Sequence, residues 1–173
     1  TANPEAYEFY LKAKLKCDKR KNMEDIVIAQ GLLKKAIKMD NNLLIAKLLL
    51  SVSYVRNGDY DKSMEIFLEV LKKAEELGDK GNMGSSLMYI GIMYKIKCDY
   101  DKALDYYERS LEIKEEIGDK SEMGLSLNNI GIVQQYRGDY ENALISYTRS
   151  LNGQEEIRTK RGVVDVRVSI GIV

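Results

Sequence analysis

Glutamate pairs recur along this 173-residue chain, at Glu75-Glu76, Glu115-Glu116 and Glu155-Glu156. Two neighbouring carboxylates can divide general acid and general base work between them. One active site, however, has no use for the same pair on every repeat, so the positions read as solvated helix surface. Gly78-Asp79-Lys80-Gly81 and Gly118-Asp119-Lys120-Ser121 hint at phosphate loops. Neither follows a strand pattern, and neither has the G-x-x-x-x-G-K-[ST] spacing that gathers backbone N–H groups around phosphates. Both read as turns. Histidine is absent, which removes the commonest general base and the commonest metal ligand together. Cys17 and Cys98 stand in unrelated contexts and read as two reduced, half-buried thiols rather than a disulfide or redox pair. No serine elbow and no paired-cysteine metal pattern occurs. The expectation is a chain that is not an enzyme, with no cofactor and no metal.

Composition narrows the partners. Lys plus Arg and Asp plus Glu are 27 each, so no overall field recruits nucleic acid or an anionic membrane. Lys12, Lys14, Lys16, Lys19, Arg20 and Lys21 make one end locally basic. They read as a solvated face whose last cations favour a helix C-terminus, because no aromatic platform or second basic patch joins them. The longest apolar run, Leu43 to Val55, is interrupted by Lys47 and is too short to span a bilayer. No signal peptide opens the sequence, and a cytoplasmic location is expected. The sequence opens abruptly at Thr1 and stops in mid-pattern at Val173, which suggests a segment of something longer.

The elements that position these residues repeat. Gly78-Asp79-Lys80 returns as Gly118-Asp119-Lys120, and Ile90-Gly91-Ile92 as Ile130-Gly131-Ile132 and Ile170-Gly171-Ile172, 40 positions apart each time. Tyr100-Asp101-Lys102-Ala103-Leu104 returns as Tyr140-Glu141-Asn142-Ala143-Leu144. A fixed period of this size means stacked supersecondary units. Asn3-Pro4-Glu5 reads as a helix start, with Pro where a missing N–H costs nothing, and an apolar stripe continues to about Cys17. Helical spacing also covers Met23–Met39, Leu43–Val55 and Tyr60–Leu77, then about 82–97, 100–117, 121–137 and 140–157. A ninth helix begins near Lys160. The run from Leu43 is apolar on more than one side and is expected to be covered on both flanks. No strand signal, linker or low-complexity segment interrupts one all-α array, with units at about 5–40, 42–78, 81–118 and 121–158 and a truncated fifth at 160–173.

These residues resemble the tetratricopeptide repeat, and the resemblance covers essentially the whole chain. It implies antiparallel helix pairs stacked into a right-handed superhelical solenoid. In that family a bulky residue begins helix A, matched by Leu87 and Leu127. A small one follows a turn later, matched by Ser51, Gly91, Gly131 and Gly171. Glycine inside a helix costs roughly 1 kcal/mol against Ala, so its recurrence implies a close backbone crossing. A tyrosine follows at Tyr54 and Tyr94, where the next unit departs with Gln134. Helix B carries small residues at Ala29, Ser63, Ala103 and Ala143, then large ones at Leu33, Phe67, Tyr107 and Tyr147. A further small slot is filled by Ala36, Ser110 and Ser150, with Val70 departing. Ala29 to Ser63 keeps the common period of 34, whereas the later units run to 40 and lack the closing proline. Such long helices are similar to those of kinesin light chains and of bacterial signalling proteins with tetratricopeptide arrays.

The resemblance also implies where a partner binds. The family's concave wall is built from helix A of each unit. Here that wall is Ile45, Leu48, Leu49, Val52 and Val55, continued by Ser85, Met88, Tyr89, Ile92, Lys95 and Ile96. Leu125, Asn128, Asn129, Ile132, Gln135 and Tyr136 follow, and Asp165, Val168, Ser169 and Ile172 begin a fifth stretch. Each apolar member is expected either to line the groove or to pack in the core. Members that grip chaperone C-termini place Lys, Arg and Asn on this wall. Only Asn129 matches, so that ligand is rejected. An apolar groove with Asn128 and Asn129 at its middle suits an amphipathic helix or extended segment, whose backbone the amides can bond. The expected role is a protein-interaction scaffold within a larger signalling or regulatory protein, taking a partner peptide and neither nucleic acid nor membrane. The alternative is an oligomerising module, because a solenoid needs polar caps and the end around Val166 and Ile170 is apolar.

Overall fold

The structure is a computed structural model that describes residues 3–19 and 22–156. Eight α-helices occupy them: α1 Pro4–Asp18, α2 Met23–Met39, α3 Leu44–Arg56, α4 Tyr60–Leu77, α5 Lys80–Ile96, α6 Tyr100–Glu116, α7 Lys120–Tyr136 and α8 Tyr140–Glu156. No strand occurs among the described residues. The expected ninth helix, and with it Asp165, Val166, Val168, Ser169, Ile170 and Ile172, lies outside them. The chain divides into two compact units, Thr1–Leu77 and Gly78–Val173.

Helix ends follow local chemistry. Asn3 Oδ1 accepts from the backbone N–H of Glu5 and Ala6, with Pro4 in the first turn. Asp79, Asp99 and Asp119 each accept from the backbone N–H three residues on, at Asn82, Lys102 and Glu122. Such a cap contributes about 1 kcal/mol. It also explains why α5 and α7 start at Lys80 and Lys120, slightly earlier than apolar spacing alone suggests: the aspartate itself stops the helix. The chain turns between helices through left-handed residues. Gly58, Gly118 and Gly138 have φ of 80°, 71° and 80°, a conformation glycine adopts without a Cβ penalty. Cys98 takes the same turn slot at φ 59°. It is exposed while Cys17 is buried, so the two thiols are not the half-buried pair the sequence suggested.

In the N-terminal unit α1, α2 and α3 share one core, built from Ala6, Tyr10, Ala13, Ala29, Leu33, Ala36, Ala46, Leu50 and Tyr54. Alanines at helical spacing let neighbouring axes approach while Tyr10, Leu33 and Tyr54 fill the remaining space. In the C-terminal unit each helix packs on the next, and α5 also touches α7. Met88, Ala103, Tyr107, Leu111, Leu127, Ile130 and Val133 form its main core, with Ala143 and Tyr147 forming a second cluster. The helical glycines have a specific cause here. A Cβ on Gly91 would lie 2.7 Å from the Tyr107 ring, and one on Gly131 would lie 2.6 Å from the Tyr147 ring. What the missing Cβ admits is chiefly an aromatic ring from helix B, and at Gly91 also the Ala103 backbone carbonyl of that helix, 3.2 Å from where a Cβ would sit.

Candidate functional site

The candidate wall of the C-terminal unit is the face of α5 and α7 turned away from their helix B partners. Residues 85, 89, 92 and 96 share one stripe of α5, and residues 125, 129, 132 and 136 share the matching stripe of α7, because three- and four-residue steps return to one helix face. Tyr89, Ile92 and Leu125 are half-buried at the edge of the main core, and Ile132 lies at the edge of the second cluster. Each is both core margin and wall. Ile96 and Tyr136 are exposed, and Tyr136 stacks on Tyr100 with ring centroids 5.8 Å apart. Met88 is only 5% exposed and sits within the main core, so it is no part of an accessible surface.

Polar groups gather at the middle of this wall. Asn129 donates from Nδ2 to the Leu125 carbonyl at 3.1 Å, a bond to the preceding helical turn that fixes the amide plane. Its Oδ1 is thereby turned toward α5, where it accepts from Lys95 Nζ at 3.4 Å. Burial pulls the Lys95 ammonium below its ordinary pKa, since a low-dielectric setting disfavours the charged form. Asn128 Oδ1 is buried and has no hydrogen-bond partner among the described residues. Gln135 Oε1 is already taken, accepting from the Tyr147 hydroxyl at 2.7 Å. Ser85, at the start of the same stripe, is half-buried and its hydroxyl is already engaged, donating to the Gly81 carbonyl and accepting from Lys114.

The corresponding face in the N-terminal unit lies on α3. Ile45 is exposed, Leu49, Val52 and Val55 are half-buried, and Leu48 is 7% exposed and therefore interior. Lys47, which interrupts the apolar run in sequence, is buried as well, with its Nζ 2.6 Å from Glu69. It occupies the helix position filled by Leu87 and Leu127 in the later repeats.

A second buried lysine escaped the sequence reading altogether. Lys114 on α6 is 2% exposed. Its Nζ donates to the Gly81 carbonyl and Ser85 Oγ, and lies 3.8 Å from Asp119 and 3.9 Å from Glu122. Gly84 makes room for its stem, since a Cβ there would come within 2.7 Å of Lys114 Cε. Burial raises the Glu122 carboxyl above its ordinary pKa, partly opposed by Lys114 and reinforced by Asp119. One signal was available. Lys114 falls 40 residues after Ala74, a helix B slot that is apolar and buried in the N-terminal unit.

No described helix is long and apolar enough to cross a membrane. The sequence model of the tetratricopeptide repeat matches residues 42–116 and again 82–156. No curated protein matches the sequence. Among solved structures, the apo form of RapI superimposes with a TM-score of 0.84 at 19% identity, over 98% of this chain and 62% of that one. Aspartyl phosphate phosphatase F from Bacillus subtilis gives 0.83 at 15% identity, over 98% of this chain and 45% of that one. MamA gives 0.64 at 18% identity, over 91% and 83%. At such identities the likeness is one of fold, and this chain spans less than two thirds of the first two proteins. The matched repeats, the paired helices and the glycine-against-tyrosine packing of α5/α6 and α7/α8 agree: the chain belongs to the tetratricopeptide-repeat family.

Proposed function

We propose that the chain is a non-catalytic binding module, one part of a larger cytoplasmic regulatory protein, and that it docks a partner peptide or helix on its helix A faces. The observation that carries this is the polar pair Lys95 and Asn129 set in a half-buried apolar wall. Lys95 Nζ and Asn129 Oδ1 meet at 3.4 Å on a half-buried face, whereas the neighbouring Asn128 Oδ1 is enclosed by the fold. Around the pair, Tyr89, Ile92, Leu125 and Ile132 offer apolar contact while Asn129 holds an amide on the same face. Apolar side chains with a few fixed amides suit a segment whose main chain is bonded and whose side chains are buried. Lacking histidine, the wall has no obvious group for proton transfer near neutral pH.

The test is a peptide-display selection on the immobilised chain, followed by affinity measurement of the winners. Asn129→Ala is expected to weaken selected peptides about tenfold, in line with the loss of one buried hydrogen bond. Glu108→Ala, on the exposed side of α6, should leave binding unchanged. Failure to select any peptide, or equal binding by the Asn129→Ala variant, defeats the reading.

A further inference from the structure

We infer that the α5/α7 wall selects a segment carrying an internal aspartate or glutamate between apolar residues, with that carboxylate seated on Lys95. This deepens the peptide-binding reading above and rests on it. Among the described residues Lys47 and Lys114 are buried and have carboxylates, and Lys95 is half-buried. Lys47 pairs with Glu69, and Lys114 faces Asp119 and Glu122. Lys95 differs. Among the described residues its ammonium has a single partner, the Asn129 amide oxygen, at the long distance of 3.4 Å. An ammonium has three donors to satisfy, so the wall presents a partly dehydrated cation with most of its bonding capacity open. Desolvation makes such a charge a stronger attractor of a counter-ion than an exposed lysine.

The surroundings specify the rest. Asn129 cannot swing away, because its Nδ2 is tied to the Leu125 carbonyl, and its Oδ1 therefore keeps Lys95 against the wall. Apolar side chains continue on both sides of the Lys95–Asn129 pair: Ile92 and Leu125 toward one end of the helices, Ile96 and Tyr136 toward the other. A ligand chain that reaches Lys95 thus has surface to cover beyond it, which favours an internal side chain over a terminal carboxylate. A single ammonium balances one negative charge, whereas a phosphoryl group brings nearly two.

The experiment uses N-acetylated, C-amidated dodecapeptide sub-libraries. One central position is fixed as Asp, Glu, Asn, Gln or Lys and the others are randomised. Wild-type chain, Lys95→Met, Lys95→Glu and the exposed control Lys97→Met are each used for capture. Wild type and Lys97→Met are expected to retain the Asp and Glu sub-libraries about tenfold over Asn and Gln, the scale of one charge-assisted hydrogen bond. Lys95→Met should keep apolar binding and lose the acidic preference, and Lys95→Glu should turn it toward Lys. Lys95→Met is also expected to melt no lower than wild type, because Met keeps the stem and removes a stranded charge. Peptide capture without acidic preference, or a preference that survives Lys95→Met, overturns this inference and leaves the peptide-binding reading standing. Capture of no sub-library overturns both.

Discussion

The hairpin α3/α4 and the hairpins α5/α6 and α7/α8 close the same helical geometry with different chemistry. In the C-terminal unit the Ser110 hydroxyl donates to the Gly84 carbonyl at 2.8 Å, and Ser150 does the same to Gly124 at 2.6 Å. Tyr107 and Tyr147 lay their rings over Gly91 and Gly131. Forty residues earlier than the first of these hairpins, every one of those slots changes. Leu44 stands for Gly84, Val70 for Ser110, Ser51 for Gly91 and Phe67 for Tyr107, and all four are buried. Ser63 replaces Ala103 and bonds the Ser51 carbonyl at 3.0 Å. The exchange is concerted. Where helix A has glycine, helix B supplies a tyrosine ring or a serine hydroxyl, and where helix A carries Ser51 or Leu44, helix B carries Phe67 or Val70, which lack the hydroxyl. At the glycine–tyrosine slot the two helices therefore share one volume, whereas at the Gly84–Ser110 slot both residues are larger forty residues earlier, as Leu44 and Val70.

The largest effect follows from that shared volume. Gly91→Ala forces its methyl group against a Tyr107 ring that is fully buried and has no room to retreat. Overpacking outweighs the gain in helix propensity, and chemical denaturation should show a loss of about 2 kcal/mol. Ser51→Ala, in the equivalent slot of the N-terminal unit, should change stability by only about 0.5 kcal/mol. Equal losses at both sites would break the comparison.

A smaller effect separates the two tyrosines. Tyr147 donates its hydroxyl to Gln135, whereas the Tyr107 hydroxyl is buried without a partner among the described residues, and burial drives its pKa well up. Tyr147→Phe should cost about 1 kcal/mol. Tyr107→Phe, which reproduces the Phe67 of the earlier hairpin, should be neutral or stabilise by up to about 1 kcal/mol. Thermal melts of the two single variants decide this, and a loss in Tyr107→Phe would mean that its hydroxyl has found a donor or acceptor.

The smallest effect is one of pH. Glu122 takes the slot of Asn82, and burial raises its carboxyl above the ordinary value of 4.5. The folded chain therefore holds that proton more tightly than the unfolded chain does. Stability from this group is greatest at acid pH and is lost as pH rises from about the ordinary glutamate value through the raised folded one. Relative to Glu122→Gln, the wild type should gain melting temperature as pH falls from 7 toward 5. A difference between the two that does not vary with pH would show that Lys114 cancels the cost of burial.

The fold was legible because its signals are local and repeated. Proline and aspartate at helix starts, glycine at turns and apolar residues at three- and four-residue steps act through neighbours in sequence, and a 40-residue period multiplies each signal. The candidate wall was legible only as a stripe. Tyr89, Ile92, Asn128 and Asn129 fall on it by helical spacing, but the same spacing also gave Leu48 and Met88, which are interior. Spacing reports the direction of a side chain from its own helix axis and says nothing about how deeply the next helix covers it.

What the sequence determined by itself was the repeat, the helix pairs, their ends and the family. These follow from short-range propensity and periodicity, which one chain displays in full. Tertiary structure alone decided which charges lost their water. Lys47 interrupts an apolar run and Lys114 falls in an apolar repeat slot, but the sequence does not say what faces either of them or Lys95. Packing buries Lys47 against Glu69, wraps Lys114 in Gly81, Ser85, Asp119 and Glu122, and leaves Lys95 facing one amide. The energy of a charge depends on the dielectric and the partners around it, and both are set by residues far away along the chain.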